Sequence, residues 1–166
     1  MNTNGKGSIV IVLDNIRVLG KIHNLNTYRR LSQYTSIPIS TIGSWYSKNG
    51  GKQVCPRLET LDKLCDAFLI HTSELFIPEN QFSVESKGKN DSMRCFRANL
   101  SQLSTDNALA RPKDRIKTLF DNDSNRYYSY MRKNKGRSIP IPEIDYLANK
   151  LDTTTYELLK PIKEVI

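Results

Sequence analysis

A faint internal repeat is the feature of this sequence that most constrains its fold. Residues 15–19 align with 99–103 at an offset of 84, residues 44–49 align with 129–134 at 85, and the apolar residues of 58–75 align with those of 141–158 at 83. Three blocks in the same order, with offsets that differ by one or two residues, are typical of a diverged tandem duplication. We therefore predict two similar domains in residues 1–77 and 93–166, joined by a linker in residues 78–92.

The predicted linker is polar and lacks the apolar period of the segments on either side. It contains Pro78 and Gly88, two residues that interrupt regular structure. About fifteen extended residues span up to roughly 50 Å. The linker therefore lets the two domains bind either adjacent or separated sites.

The net charge of the chain favours a polyanionic partner. The formal charge is +8, with 25 basic and 17 acidic side chains, and the two predicted domains are separately basic at +4 and +5. Lysine and arginine side chains that neutralise phosphates release counterions and so favour binding to nucleic acid. Each copy is therefore a candidate nucleic-acid binder.

Both copies show the apolar spacing of short amphipathic helices. In the first copy, Asn26-Thr27 offers an N-cap for a second helix, and the residues before Pro38 form a turn. Ile42 and Trp45 are then the buried side of the third helix. The predicted helices of this copy cover 9–19, 28–34, 38–46, 56–68 and 73–76.

The second copy follows the same order with a different turn. Its second helix begins at Pro112, and Asp123 is a candidate N-cap for the third helix after the turn 121–123. Its first three predicted helices cover 96–103, 112–120 and 124–131, and the last two lie within 139–159.

The first copy resembles the Cro/repressor family of lambda-repressor-like helix-turn-helix proteins. The resemblance covers residues 12–76 and rests on Leu31-Ser32, Ile37-Pro38, Ser40-Thr41-Ile42, Trp45, a Gly-Lys loop, Pro56, Leu58, Leu61, Leu64, Ala67-Phe68 and Glu74-Leu75. It implies an all-α fold of two tandem five-helix lambda-repressor-like helix-turn-helix domains, homodimerisation and a pseudo-palindromic operator. Three residues depart from the family pattern: Ser36 replaces the turn glycine, Tyr46 replaces the acidic residue after the tryptophan, and Tyr28 replaces a glutamine.

The outward face of each third helix supplies the residues predicted to contact bases. Hydroxyl, amide and guanidinium groups form hydrogen bonds with base edges in the major groove, and an apolar side chain can contact a thymine methyl group. Arginine pairs bidentately with guanine, and asparagine pairs with adenine. The candidates are Ile39, Ser40, Thr41, Ser44, Asn125, Arg126 and Ser129.

A second set of residues is predicted to contact DNA phosphates. These residues lie at the start of each second helix or in the basic loop after each third helix, where a polar or basic side chain can reach the backbone. The candidates are Thr27, Tyr28, Lys48, Lys52, Lys113, Arg132, Lys133, Lys135 and Arg137. The competing interpretation is that the loop residues are solvated charge.

No residue pattern points to catalysis, a metal or a cofactor. His23 and His71 have no carboxylate or cysteine at ligand or triad spacing, and the three cysteines lack Cys-x-x-Cys spacing. Trp45 and Tyr130 fit core positions better than stacking platforms for single-stranded bases. The apolar run near the N-terminus is too short for a signal peptide or a membrane span, so a cytoplasmic location is expected.

These observations predict a sequence-specific regulator, more specifically a repressor, that binds double-stranded DNA. It acts as a homodimer or as an intramolecular pseudo-dimer that reaches two major grooves about one helical turn, roughly 34 Å, apart. The alternative is a protein-binding inhibitor or scaffold in which one or both domains contact another protein, since a fold does not fix a function.

Overall fold

The computed structural model describes residues 7–49, 52–78, 82, 89–132 and 138–162. Within these ranges the fold is all-α apart from a pair of two-residue strands. The N-terminal half, residues 7–78, contains α1 (Ser8–Ile22), α2 (Tyr28–Thr35), α3 (Ile39–Tyr46), β1 (Lys48–Asn49), β2 (Lys52–Gln53), α4 (Leu58–Phe68) and a 3₁₀ helix (Thr72–Phe76). The C-terminal half, residues 89–162, contains α5 (Ser92–Asp106), α6 (Pro112–Leu119), α7 (Ser124–Met131), α8 (Ile141–Lys150) and α9 (Thr155–Leu159).

Local sequence signals explain where several helices begin. The Thr27 hydroxyl accepts a hydrogen bond from the Arg30 N–H at the start of α2, and Asp123 accepts from the Arg126 N–H at the start of α7. Both predicted N-caps are therefore confirmed. Pro38 occupies the N-cap of α3, one position before the first helical residue. The last predicted helix of the first copy is a 3₁₀ helix.

Left-handed backbone conformations recur at equivalent positions of the two halves. Asn24 and Ala108 end α1 and α5 with φ of 57° and 61°, and Leu69 and Asp152 follow α4 and α8 with φ of 56° and 50°. The turn between α2 and α3 uses one such residue, Ser36, with φ 56°. The turn between α6 and α7 uses two, in 121–122. This extra residue explains why the repeat offset changes from 84 to 85.

An asparagine holds the last helical element of each half against the first. Asn15 Nδ2, in α1, donates to the carbonyl oxygens of Leu75 and Ile77 at 2.8 and 2.9 Å. Asn99, in α5, makes the equivalent pair of hydrogen bonds to the carbonyl oxygens at 158 and 160, at 3.2 and 2.8 Å. The same side chain thus performs the same task in both halves.

The two halves pack against each other reciprocally. α1 contacts α8, α4 contacts α5, and the 3₁₀ helix contacts α9, so each of these main contacts has a counterpart with the halves exchanged. Ser8 Oγ donates to Asp145, and Ser92 Oγ donates to Asp62. Reciprocal contacts between equivalent elements relate the two halves by a pseudo-two-fold axis, as in the interface of a symmetric dimer. The buried apolar residues of both halves form one continuous cluster.

The end of the predicted linker is bound to the N-terminal half. Asn90 Nδ2 donates to Asp66 Oδ1 at 2.8 Å and to the Ile70 carbonyl oxygen at 2.9 Å. The Thr72 N–H donates to Asn90 Oδ1 at 3.0 Å. Because these bonds fix the chain immediately before α5, which begins at Ser92, residues 90–92 are part of the interface between the halves. Residues 79–81 and 83–88 of the predicted linker lie outside the described ranges.

Arg115 fills a core position that belongs to Leu31 in the N-terminal half. It is only 7% exposed, and its guanidinium donates to the carbonyl oxygens of Leu109 and Ala110 at 2.8 and 2.9 Å. It also donates to Ser101 Oγ at 3.0 Å. A positive charge at the C-terminal end of α5 is favourable because the helix dipole is negative there. Arg115 therefore fixes the loop that leads into α6.

Candidate nucleic-acid interface

The buried side of α3 fixes which of its residues face outward. Ile42 is fully buried and Trp45 is 2% exposed, as the sequence predicts. Ile39 is 49% exposed and Ser40 is also exposed. Thr41 and Ser44 are half-buried, and the Ser44 hydroxyl donates to the Thr41 carbonyl oxygen at 2.7 Å. Ile39 and Ser40 are thus the most accessible of the four predicted base contacts on α3.

Three stacked side chains join α1, α2 and α3 beside this face. The Tyr28 and Tyr46 rings stack with a centroid separation of 5.4 Å and an interplanar angle of 8°. The Arg17 guanidinium lies 4.5 Å from the Tyr46 ring centroid, and the Tyr46 hydroxyl donates to the Leu13 carbonyl oxygen at 3.2 Å. Burial raises the pKa of Tyr46, and Arg17 partly opposes this. Tyr28 is therefore held at the start of α2, with 45% of its surface exposed.

Sequence reasoning did not assign a role to Arg17 or Tyr46 in this stack. The available sequence signal for this contact was that Tyr46 stands where the Cro/repressor pattern has an acidic residue. Its partners lie 18 and 29 residues away along the chain, so no local spacing identifies the contact. Arg17 also approaches Asp14 at 3.5 Å within α1.

In the C-terminal half, Tyr127 is the buried anchor of α7. It is 4% exposed and packs edge-on against Phe120 with a centroid separation of 5.3 Å. Tyr130, which aligns with Trp45, is only half-buried. Asn125 is exposed, whereas the half-buried Ser129 donates from its hydroxyl to the Arg126 carbonyl oxygen at 2.8 Å. The bond between Ser44 and Thr41 thus has an equivalent in α7.

Arg126 differs from the other predicted base contacts because its guanidinium is already engaged. Its Nε and Nη2 donate to the two carboxylate oxygens of Glu143, in the first turn of α8, at 2.7 and 2.5 Å. Its Nη1 lies 3.8 Å from Asp121. Glu143 raises the pKa of Arg126. Glu143 therefore occupies the Nε–Nη2 edge of the guanidinium, and only the Nη1–Nη2 edge is left for another acceptor. From the sequence we expected the whole guanidinium to be available to guanine.

Asp121 extends this network along the same face of α8, toward its C-terminal end. It accepts hydrogen bonds from Lys150 Nζ and the Tyr146 hydroxyl, each at 2.6 Å. These two donors, Lys150 first, lower the pKa of Asp121. The turn before α7 therefore carries carboxylates, at Asp121 and at the N-cap Asp123, where the turn before α3 carries the uncharged Ser36.

Some of the predicted phosphate contacts are exposed around these helices. Thr27, Lys113 and Arg132 are exposed, at the starts of α2 and α6 and at the end of α7. Lys48 and Lys52 lie on the paired strands β1 and β2, whose side chains are outside the description. Lys133, Lys135 and Arg137 also lie outside the described residues.

The cysteines are poorly suited to nucleophilic chemistry. Burial raises the pKa of the Cys55, Cys65 and Cys95 thiols, which favours the unreactive neutral form at neutral pH. Within the described residues, no group of three or more histidine, cysteine or acidic side chains is arranged to hold a metal ion. No helix in the described ranges has the length and apolar character needed to cross a membrane.

Comparison with family models, curated proteins and solved structures finds no significant match to this chain.

Proposed function

We propose that this chain is a sequence-specific double-stranded DNA-binding regulator of transcription, acting as a repressor through two helix-turn-helix domains on one chain. One observation supports the proposal above the others. The main contacts between the halves use α1, α4, α5, α8, α9 and the 3₁₀ helix. The α2–α3 and α6–α7 pairs take no part in these main contacts, so both predicted recognition helices lie outside the main contacts between the halves.

The reciprocal packing favours an intramolecular pseudo-dimer over a homodimer. Dimeric helix-turn-helix proteins use two-fold symmetry to place two recognition helices in successive major grooves, about one helical turn apart. Here the second copy of the domain is supplied by the same chain, and the hydrogen bonds of Asp62 and Asp145 hold it in place. One chain then contacts both half-sites.

The two halves have unequal outward faces, so the two half-sites should differ in sequence. α3 presents Ile39 and Ser40, which fit a thymine methyl group and one hydrogen-bonding base edge. α7 presents Asn125, whose amide pairs with adenine. A homodimer of identical domains has identical half-sites, whereas this chain has two different recognition helices.

Selection of bound duplexes from a random pool tests the proposal directly. We expect one chain per duplex and a site of two dissimilar half-sites whose centres lie about 10 base pairs apart. Binding to random duplex should weaken steeply with salt because phosphates release counterions. Absence of binding at low salt would refute the DNA-binding function, and a perfect palindrome bound by two chains would refute the pseudo-dimer.

The carboxylates around α7 favour a second candidate, in which the C-terminal half contacts a protein. Asp121, Asp123 and Glu143 surround the start of this helix, and phosphates repel carboxylates. Alanine substitution of Asn125 separates the two candidates. Loss of preference at one base pair supports DNA contact by α7, whereas an unchanged selected site with intact affinity supports a protein-binding C-terminal half.

A further inference from the structure

Glu143 holds Arg126 with both of its carboxylate oxygens. The Arg126 side chain is 28% exposed and that of Glu143 is 15% exposed, so the pair lies at the edge of the protein surface with limited access to water. Paired donation from one guanidinium to one carboxylate is the strongest geometry available to these groups. The guanidinium carbon also lies 5.9 and 5.5 Å from the ring centroids of Phe120 and Tyr146.

The N-terminal half shows that the fold does not require this pair. Arg126 aligns with Thr41 and Glu143 aligns with Thr60, by the same offsets that relate the rest of α7 to α3 and α8 to α4. α3 keeps its place through Ile42 and Trp45 without a charge at either position. The Arg126–Glu143 pair is therefore an addition specific to the C-terminal half.

Glu143 and a guanine base offer Arg126 the same recognition geometry. Guanine presents its O6 and N7 acceptors in the major groove, and a guanidinium pairs with them bidentately. A DNA phosphate also accepts from arginine, but it occurs at every nucleotide and carries no sequence information. While the pair holds, Glu143 occupies one bidentate edge of Arg126 and offsets its charge, so contact with a charged phosphate gains less than it would from a free arginine. A guanine edge is uncharged and is recognised by directed hydrogen bonds, so its pairing with Arg126 loses less.

We propose that Glu143 is a specificity-determining residue that weakens contact of Arg126 with phosphates on non-specific DNA and so favours its pairing with guanine. This inference rests on the proposed DNA-binding function. On random sequence the pair stays intact and Arg126 adds little to affinity. At the preferred base, pairing of Arg126 with guanine gives discrimination of about ten- to a hundredfold against other bases.

Two substitutions of Glu143 test the inference, with a matched control in the other half. Glu143→Gln removes the charge but keeps the size of the side chain, and Glu143→Asp keeps the charge but shortens its reach. Glu59→Gln is the control because Glu59 is an exposed carboxylate in the first turn of α4, and Glu143 lies in the first turn of α8. Each variant of the full chain is titrated with random duplex and with the selected duplex over a range of salt concentrations.

We expect both Glu143 variants to bind random duplex more tightly than the wild type. The slope of log affinity against log salt should steepen by about 0.9, the value for one additional phosphate contact. Discrimination between selected and random duplex should fall about tenfold, the lower end of the value for one bidentate contact. Glu59→Gln should leave that ratio unchanged. Adding Arg126→Ala to Glu143→Gln should abolish the gain on random duplex.

The contrary outcomes separate this inference from the proposed function. Equal gains for Glu143→Gln and Glu59→Gln would trace the effect to net charge and overturn the role of Glu143. Unchanged binding by Glu143→Asp would overturn it as well. A wild type that binds no duplex at low salt would overturn both the DNA-binding function and this inference. Circular dichroism of each variant checks that it folds. If Glu143→Gln does not fold, Glu143→Asp serves as the main test.

Discussion

Replacing Asp62 with alanine tests whether the two halves unfold as one unit. Asp62 lies on α4 and accepts hydrogen bonds from Thr72 Oγ1 at 2.7 Å, from the Ser92 N–H at 3.1 Å, and from Ser92 Oγ. Thr72 and Ser92 are 1% and 2% exposed, so water cannot readily replace the lost acceptor. The substitution therefore leaves three buried donors without their partner.

The size of the effect follows from these contacts. A buried donor left unpaired costs about 1 to 3 kcal/mol, and the two hydroxyl groups can rotate toward other acceptors, so we take the lower value for each donor. Burial raises the pKa of Asp62, because removing the charged form from water is unfavourable, and deleting the carboxylate recovers part of that free energy. We expect a net loss of about 2 to 3 kcal/mol in the free energy of unfolding.

Urea unfolding, followed by two spectroscopic probes, measures the loss in the free energy of unfolding and shows whether both halves unfold together. Trp45 is the single tryptophan and lies buried in the N-terminal half, so its fluorescence reports that half alone. Far-ultraviolet circular dichroism reports the helices of both halves. We expect coincident transitions in the wild type, as two-state unfolding requires. The variant Asp145→Ala, which removes the acceptor of Ser8 and Thr155, is the control in the other half.

Two results would refute this reasoning. A loss below about 0.5 kcal/mol for Asp62→Ala, the range of ordinary surface substitutions, would show that Ser92 and Thr72 find other acceptors. Separate transitions for fluorescence and circular dichroism in the wild type would show that the reciprocal interface does not couple the halves.

Three further predictions concern single positions. Ser36→Gly should stabilise the protein by about 0.5 to 1 kcal/mol, because Ser36 has a φ of 56° that glycine adopts without strain; thermal unfolding measures this, and a destabilised variant contradicts it. Arg115→Leu introduces the residue found at the equivalent position 31 of the N-terminal half. It should destabilise the protein by about 2 to 4 kcal/mol because several charge-assisted hydrogen bonds are lost. Equal stability of variant and wild type in urea unfolding would contradict this prediction. Asp62→Asn should gain stability relative to the wild type as pH rises above about 4. The folded-state pKa of Asp62 is raised, so its favourable contribution is present below the unfolded pKa of about 3.9 and is lost as pH rises through the folded value. A difference between the two proteins that does not change with pH contradicts this assignment.

Much of the local structure follows from short-range signals in the sequence. The N-caps predict the first residues of α2 and α7 correctly, whereas α5 begins at Ser92, four residues before its predicted start at 96. Burial of Ile42 and Trp45 also follows from their spacing, because residues three apart share one face of a helix. Arg126 shows where this reasoning stops. Its place on the outward side of α7 is predictable, but its partner Glu143 lies 17 residues away on another helix.

The sequence by itself determined the helices, the order of the two halves and the outward side of each candidate recognition helix, because these depend on residue spacing and local capping. Tertiary structure decided how the halves meet and which polar groups remain free. The serine and aspartate pairs that join α1 to α8 and α5 to α4 are 137 and 30 residues apart. Contacts at such separations depend on how whole elements pack, and no periodicity along the chain records them.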